Sequence, residues 1–438
     1  MSDTPAQRGL LGRVMANAGL LLGGRAVNAV LSLGYMALAA RTLGLAPFGV
    51  LVLINTFAQF VGDIVRFQAW QTILQFGAAP LAQGRKSDFQ HVVRFGLVLD
   101  LIGAAAGLVL GVSGAYWLGP HVGLPREVAG IAALYALTVA FMVPTTPVGL
   151  LRLFDRFGLL SAQAAVSSAV RLAAGLVGIV IDAPLAFFLV AWGAGTLAGL
   201  LYVGVASVLE LHRRSLLSGL LRPAGPAPPL PGAWRFAWAT NAASSLDAAF
   251  THVATLIVGA LLGPAEAGLW RIARQVADAL AKPARLLIPA LYPELAKLRA
   301  SGGDALMRSL ALRVGLIGGG AATLLLLVTV FAGAPLLTLV MGADFAPAAP
   351  TMIWQVGAAV IGVWALPLEP MLVSMGRPGL VLRVRLVVAV GFLIGLPPIV
   401  AAHGLPGAGA ALVGASLALA LGMLWSLRKL VRHERLAH

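Results

Sequence analysis

Twelve stretches of about twenty mostly apolar residues each run through this sequence, and they decide what solvent it can fold in. They cover about 14–40, 46–66, 92–112, 128–151, 158–181, 184–207, 238–262, 266–290, 310–332, 348–373, 379–401 and 407–427. A helix of about 20 residues matches the ~30 Å hydrocarbon core of a bilayer. The runs are continuous rather than alternating, which favours helices over a transmembrane barrel. Hydrophobic residues make up 59% of the chain and charged residues 11%, whereas a soluble domain carries about 25% charged residues. The sequence therefore predicts an all-α polytopic membrane protein of about twelve transmembrane helices.

The net charge of +15 is compatible with nucleic acid, but its distribution is not. Arg85, Lys86, Arg94, Arg152, Arg156, Arg213, Arg214, Arg313 and Arg377 fall in alternate loops, while the intervening loops hold Glu127, Asp182, Glu266 and Asp344. This is the positive-inside pattern, and it puts both termini in the cytoplasm. The first run is too long for a signal peptide and is interrupted by Arg25. The chain has no cysteine, which excludes disulfides and thiolate metal sites. Its seven histidines show no metal-ligand spacing, and no phosphate-binding loop of the ATPase type occurs. No metal, cofactor or nucleic acid is expected, and nothing points to an enzyme.

A proline-rich segment, R-P-A-G-P-A-P-P-L-P-G at 222–232, lies in a central loop of about 208–237. It reads as a semi-rigid cytoplasmic linker between an N-terminal six-helix bundle, 1–207, and a C-terminal one, 238–438, with a basic tail. The halves resemble each other. A shift of 219 lays Leu43, Gly44 and Gly49 on Leu262, Gly263 and Gly268, and Arg94 and Gly96 on Arg313 and Gly315. Six spans per half give the repeats the same orientation, as in transporters with parallel repeats.

Charged residues inside the apolar runs carry the functional signal. Between Leu269 and Leu286, Arg271, Arg274, Asp278, Lys282 and Arg285 recur at steps of three, four, four and three, so a helix stacks them on one face. One carboxylate cannot balance four cations, and such a stripe is tolerated at membrane depth only beside a wet cavity or partner charges. Under the 219-residue offset it pairs with Asn55, Gln59, Asp63 and Arg66. Asn55 and Gln59 are equally readable as interhelical hydrogen-bonding groups, and Asp63 with Arg66 as a local pair. Arg25, Asn28 and Ser32 step along the first span, as Ser244, Asp247 and Thr251 do along its counterpart. Arg25 needs an internal partner, with Asp247 and Asp63 as candidates. His252, one residue off the Asp247 face, reads as packing. Asp100 and Arg171 are further membrane-depth charges. Glu369 stands between two prolines in P-L-E-P, either as a titrating acid beside a broken helix or as the partner of an arginine. Arg383 and Arg385 read as snorkelling anchors.

Two bundles with cationic inner faces describe an alternating-access transporter for an anionic substrate, and guanidinium groups suit phosphate. L-G-L-A-P-F-G at 43–49, L-G-P-A-E-A-G at 262–268, G-A-D-F-A-P-A at 342–348, M-G-R-P-G at 375–379 and G-L-P-G-A-G-A-A at 404–411 resemble the Wzx-type polysaccharide-biosynthesis flippases. That superfamily also contains the multidrug/toxin extruders (MATE) and the lipid II flippase. The resemblance implies a V-shaped, MATE-like pair of bundles in the bacterial inner membrane. It implies a polyprenyl-diphosphate-linked oligosaccharide as substrate, drawn from an O-antigen, capsule or exopolysaccharide pathway. It also implies polymerase and glycosyltransferase neighbours. Arg25, Arg66, Arg271 and Arg274 are the positions that match the family's diphosphate-holding arginines. Lys282, Arg285 and Arg66 would attract the headgroup, with Asn28, Asn55 and Gln59 beside it, while its lipid tail stays in membrane lipid. Asp63, Asp247, Asp278 and Glu369 are candidates for coupling to Na+ or H+. The alternatives are a cation antiporter of the same superfamily, which would favour an acidic or aromatic cavity, and a membrane polymerase, which would need a larger extracytoplasmic loop.

Overall fold

In the computed structural model, Gly23, Gly24 and residues 27–220, 230–285, 304–375 and 377–436 are described. Every regular element among them is helical, as the unbroken apolar runs require. The described residues group into two compact units, one ending at Val253 and the other beginning at Ala254.

The first unit opens with α1, Val27–Leu43, followed at once by α2, Leu45–Val65. The turn between them is made by Gly44 at φ 71, a left-handed conformation that glycine adopts without a Cβ penalty. The Gly44 amide donates to Ala40 O at 3.0 Å, and the Phe48 amide donates to Gly44 O at 3.2 Å. α2 is the centre of the unit. Phe48 to Ala58 are buried without interruption, as in a helix that is apolar on every side. A break at Gln68 leads to α3, Ala69–Ala82, which none of the twelve apolar runs marks. It is short and carries Gln71, Gln75 and Pro80, so it has no membrane-length apolar signal.

α4 spans Lys86–Trp117. The run at 128–151 is broken into α5, Ala129–Ala136, α6, Val139–Met142, and α7, Thr146–Leu153, and it bends by 41°. The bend lies between Ala136 and Val139; at the second break, between α6 and α7, Pro144 and Pro147 remove backbone donors. The buried carboxylate of Asp100 on α4 completes the break, accepting the amides of Thr145 and Thr146 at 2.9 Å each. It satisfies donors at the start of α7 that the helix itself cannot. α8, Phe157–Val180, and α9, Leu185–Arg213, pack along each other. At the end of α9 the buried Glu210 gathers Arg156 at 3.0 Å, Arg213 at 3.3 Å and Arg214 at 3.6 Å.

α10, Ala233–Leu262, begins in the first unit and ends in the second. Within the second unit, α11, Pro264–Arg285, packs against α13, Ala348–Trp364. Gly263 at φ 94 turns the chain between α10 and α11. Its amide donates to Gly259 O at 3.0 Å, and the Ala267 amide donates to Gly263 O at 3.2 Å. These are the Gly44 contacts, displaced by 219 residues. α12 covers Asp304–Met341, and α14 covers Leu368–Ser374. α15, Pro378–Leu436, carries the last two apolar runs and is interrupted only at Gly404, with φ 63 and ψ −151. Leu366, Met371, Leu372, Val381, Met423 and Leu427 form a core joining α14 to both arms of α15.

Each of the twelve runs thus falls on a helix or on a broken helix; the first and eighth extend beyond the described residues.

Candidate functional site

Four helices of the first unit turn polar faces onto one cavity of about 450 Å³. α1 contributes Asn28, Ser32 and Tyr35; α2 contributes Gln59, Asp63 and Arg66. α8 adds Gln163, Ser167, Ser168 and Arg171, and α9 adds Thr196. The steps of three and four within each set are those that align side chains along one face of a helix. Met142 and Pro144, at the break between α6 and α7, close the remaining wall.

Asp63 and Arg66 pair at 2.9 Å. Arg66 also donates through Nη2 to Met142 O at 2.8 Å, a carbonyl at the end of a broken helix. The second carboxylate oxygen of Asp63 lies 3.0 Å from His252 Nε2, and that nitrogen must donate because an ionised carboxylate only accepts. α10 secures the end of α2 in a second way. Asn241 Nδ2 and Ser245 Oγ donate to Ile64 O at 3.0 and 2.9 Å.

Arg171 is bonded differently. Nη2 donates to Thr196 Oγ1 at 2.9 Å, and Nε reaches Trp192 O at 3.4 Å. The guanidinium lies 5.5 Å from the centre of the Tyr35 ring, within cation–π range. Tyr35 in turn meets Trp192 edge to face at 5.6 Å. Ser168 Oγ donates to Asn28 Oδ1 at 2.6 Å, tying α8 to α1.

Asn28, Gln59, Asp63 and Arg66, expected from the sequence, therefore share one cavity. Asn55 does not line it; it is buried and donates to Tyr135 OH at 2.5 Å. His252, read from the sequence as packing, is instead a partner of Asp63. Arg171 carried no assigned role, and Tyr35, Gln163, Ser167 and Thr196 were not singled out. The signal was present, since Gln163, Ser167 and Arg171 recur at steps of four within an apolar run.

In the second unit α11 is helical through the cationic stripe. Leu269, Trp270, Ile272, Ala273 and Ala277 are buried on its apolar side, whereas Arg271, Arg274 and Asp278 are half-buried. Arg274 and Asp278 approach to 3.6 Å. Glu369 pairs with Arg385 at 2.6 Å, which replaces the reading of Arg385 as a simple anchor. Arg25 and the side chains of Asp247, Lys282 and Arg285 lie outside the described residues. No cluster of acids and histidines among the described residues has the makings of a metal site.

No protein-family model matches the chain. It is 33% identical over 333 residues to inner membrane protein YghQ of Escherichia coli (strain K12), covering 76% of this chain and 93% of that protein. The chain belongs to the YghQ family. Like YghQ, it is a membrane protein, and seven of its described helices are long and apolar enough to span a bilayer. Solved structures extend the likeness to fold. An inward-facing multidrug resistance MATE family transporter of the MOP superfamily superposes with a TM-score of 0.75 at 13% identity, covering 95% of this chain and 99% of that one. The lipid II flippase MurJ in an inward closed conformation gives 0.71 at 11% identity, covering 93% and 87%. A MOP superfamily transporter from Pyrococcus furiosus gives 0.62 at 14% identity over 95% of both chains. Its binding pocket has reversed polarity, which suggests a different function for that protein. This YghQ-family chain has the MATE-type membrane fold.

Proposed function

We propose that the chain is a Wzx-type flippase, moving a polyprenyl-diphosphate-linked oligosaccharide across the bacterial inner membrane by alternating access. The observation that carries this reading is a polar cavity with two guanidinium groups and one carboxylate, walled by apolar helices in a chain of MATE-type fold. An organic-cation antiporter would need the opposite balance of charge. Buried arginines favour phosphate or carboxylate because their planar fork bonds such groups in pairs. Resemblance in fold to a lipid II flippase supports a lipid-linked cargo. In this reading Arg25, Arg271 and Arg274 hold the diphosphate, while Arg66, Lys282 and Arg285 attract it. Asp63 is the coupling carboxylate, since it lines the cavity between Arg66 and His252, which Asp278 and Glu369 do not. Depletion of the protein, followed by mass spectrometry of membrane lipids, tests the reading. A polyprenyl-diphosphate oligosaccharide should accumulate in the cytoplasmic leaflet. An unchanged lipid profile together with new sensitivity to organic cations would instead support the antiporter.

A further inference from the structure

Arg171 stands where a cation is hardest to keep. It is the fifteenth residue of α8, about 21 Å along the helix axis, too far from either end for its side chain to snorkel out. A charge at that depth needs an opposite charge, a wet cavity or a ligand. Among the described residues no carboxylate pairs with it. Its bonds go to the hydroxyls of Thr196 and Tyr35, a backbone carbonyl and an aromatic ring, and Asp63 is occupied by Arg66 and His252.

The position is also built. A Cβ on Gly195 of α9 would lie 2.7 Å from Arg171 Cγ, 2.8 Å from its Nε and 2.8 Å from Ser167 O. Only a hydrogen leaves room for the arginine to lie across α9 and reach Thr196.

Charge and chemistry then select the ligand. Asp63 and Arg66 cancel, so among the described lining residues a single positive charge remains, on Arg171. A monoanion balances it. The remaining wall offers amides and hydroxyls, from Gln59, Gln163 and Ser167. These groups suit a ring bearing several hydroxyls. The 450 Å³ cavity sits at the lower end of the roughly 300–1,000 Å³ of small-molecule sites, enough for one or two sugar rings. We infer that this cavity binds an acidic sugar of the glycan, a hexuronate, with its carboxylate on Arg171 and its hydroxyls on the amide and hydroxyl wall. The inference deepens the proposed function and rests on it only in taking the ligand to be a glycan.

The test uses the purified full-length protein in nanodiscs, with D-glucuronate, D-glucose, D-glucuronamide and inorganic phosphate as probes, read by calorimetry or saturation-transfer NMR. Glucuronate should bind at least about tenfold more tightly than glucose or the neutral glucuronamide, the equivalent of about 1.4 kcal/mol. Arg171→Gln should remove that preference and leave glucose unchanged, and Gly195→Ala should shift binding in the same direction. Arg171→Lys should keep part of the preference, because the charge remains and the planar fork is lost. Equal binding of glucuronate and glucuronamide overturns the inference even if no variant folds, since that comparison needs only the natural protein. So does a preference that survives Arg171→Gln, or phosphate binding as tightly as glucuronate, which would mark a site for any small anion. Glucuronate selectivity without lipid accumulation on depletion would keep the site and remove the flippase reading; the converse would remove the site alone.

Discussion

At Asp63 three side chains meet, and the arrangement assigns them different work. Its pairing with Arg66 leaves both groups about one-quarter to one-third exposed, so the pair contributes only modestly to stability, about 0–1 kcal/mol for such screened contacts. His252 gives the same carboxylate a second polar partner in α10. Replacing Asp63 with Asn keeps the shape and removes the charge that a coupling ion would neutralise. The expected outcome is a folded protein whose transport in proteoliposomes no longer responds to an imposed proton or sodium gradient. Full gradient dependence in the variant would remove Asp63 from coupling. Asn55 stands about two turns away along α2 and belongs to packing. Its amide donates to the Tyr135 hydroxyl in the interior, so Tyr135→Phe leaves a buried donor without its acceptor. That change costs about 1–3 kcal/mol, visible as a lower Tm, with transport otherwise unchanged. The sequence placed Asn55 and Gln59 on one face, correctly for a helix. It could not reveal which of them a neighbouring helix would claim, because that depends on a tyrosine some 80 positions away.

Among the elements, the breaks were harder to read than the spans. Length and apolarity mark a spanning helix wherever its neighbours lie, so the runs on α4, α8, α9 and α12 stood out unaided. The break between α6 and α7 uses Pro144 and Pro147, which are visible, and also the Asp100 carboxylate from α4, which is remote in sequence. Without that carboxylate the amides of Thr145 and Thr146 would be stranded in an apolar setting, a cost sheet-free membrane folds cannot easily absorb. Asp100→Asn weakens two charge-assisted bonds and presents an amide NH2 where an acceptor is needed. A loss of about 1.5–3 kcal/mol follows, and hydrogen exchange should rise first at residues 143–147. Protection unchanged there would mean that the break holds itself. α3 escaped notice for the opposite reason. A helix of 14 residues with two glutamines and an internal proline looks like a loop to any test based on membrane thickness.

Across the whole molecule, the duplication proved to be backbone as well as residue type. Gly44 and Gly263 share a left-handed conformation and the same pair of flanking hydrogen bonds, and Gly123 and Gly342, at the same offset, also have positive φ. A turn that only glycine makes comfortably leaves an imprint in sequence, which is why the repeat was legible while the cavity was only partly so. Arg66 announced itself by its stripe, whereas Arg171 lies in a run of small apolar residues with its companions four and eight positions earlier. The equivalent of α2 in the second half, α11, carries the cationic stripe on the side opposite its buried Leu269, Trp270 and Ile272. Arg274 and Asp278 are partly exposed and 3.6 Å apart, so reversing Arg274 removes a weak pair, with a stability change within about 1 kcal/mol. Reversing Arg271 and Arg274 together to Glu tests the site, with the variant's melting profile measured beside its transport. If these two groups hold a diphosphate, each contributes a charge-assisted contact of about 1.5–3 kcal/mol, and reversal adds repulsion to that loss. Translocation should fall by at least about a hundredfold, with the lipid-linked precursor retained on the cytoplasmic leaflet, as read by access of a periplasmic glycan-processing enzyme. Export at the normal rate in a double variant that melts normally would take α11 out of headgroup binding and leave the first unit's arginines as the cationic site.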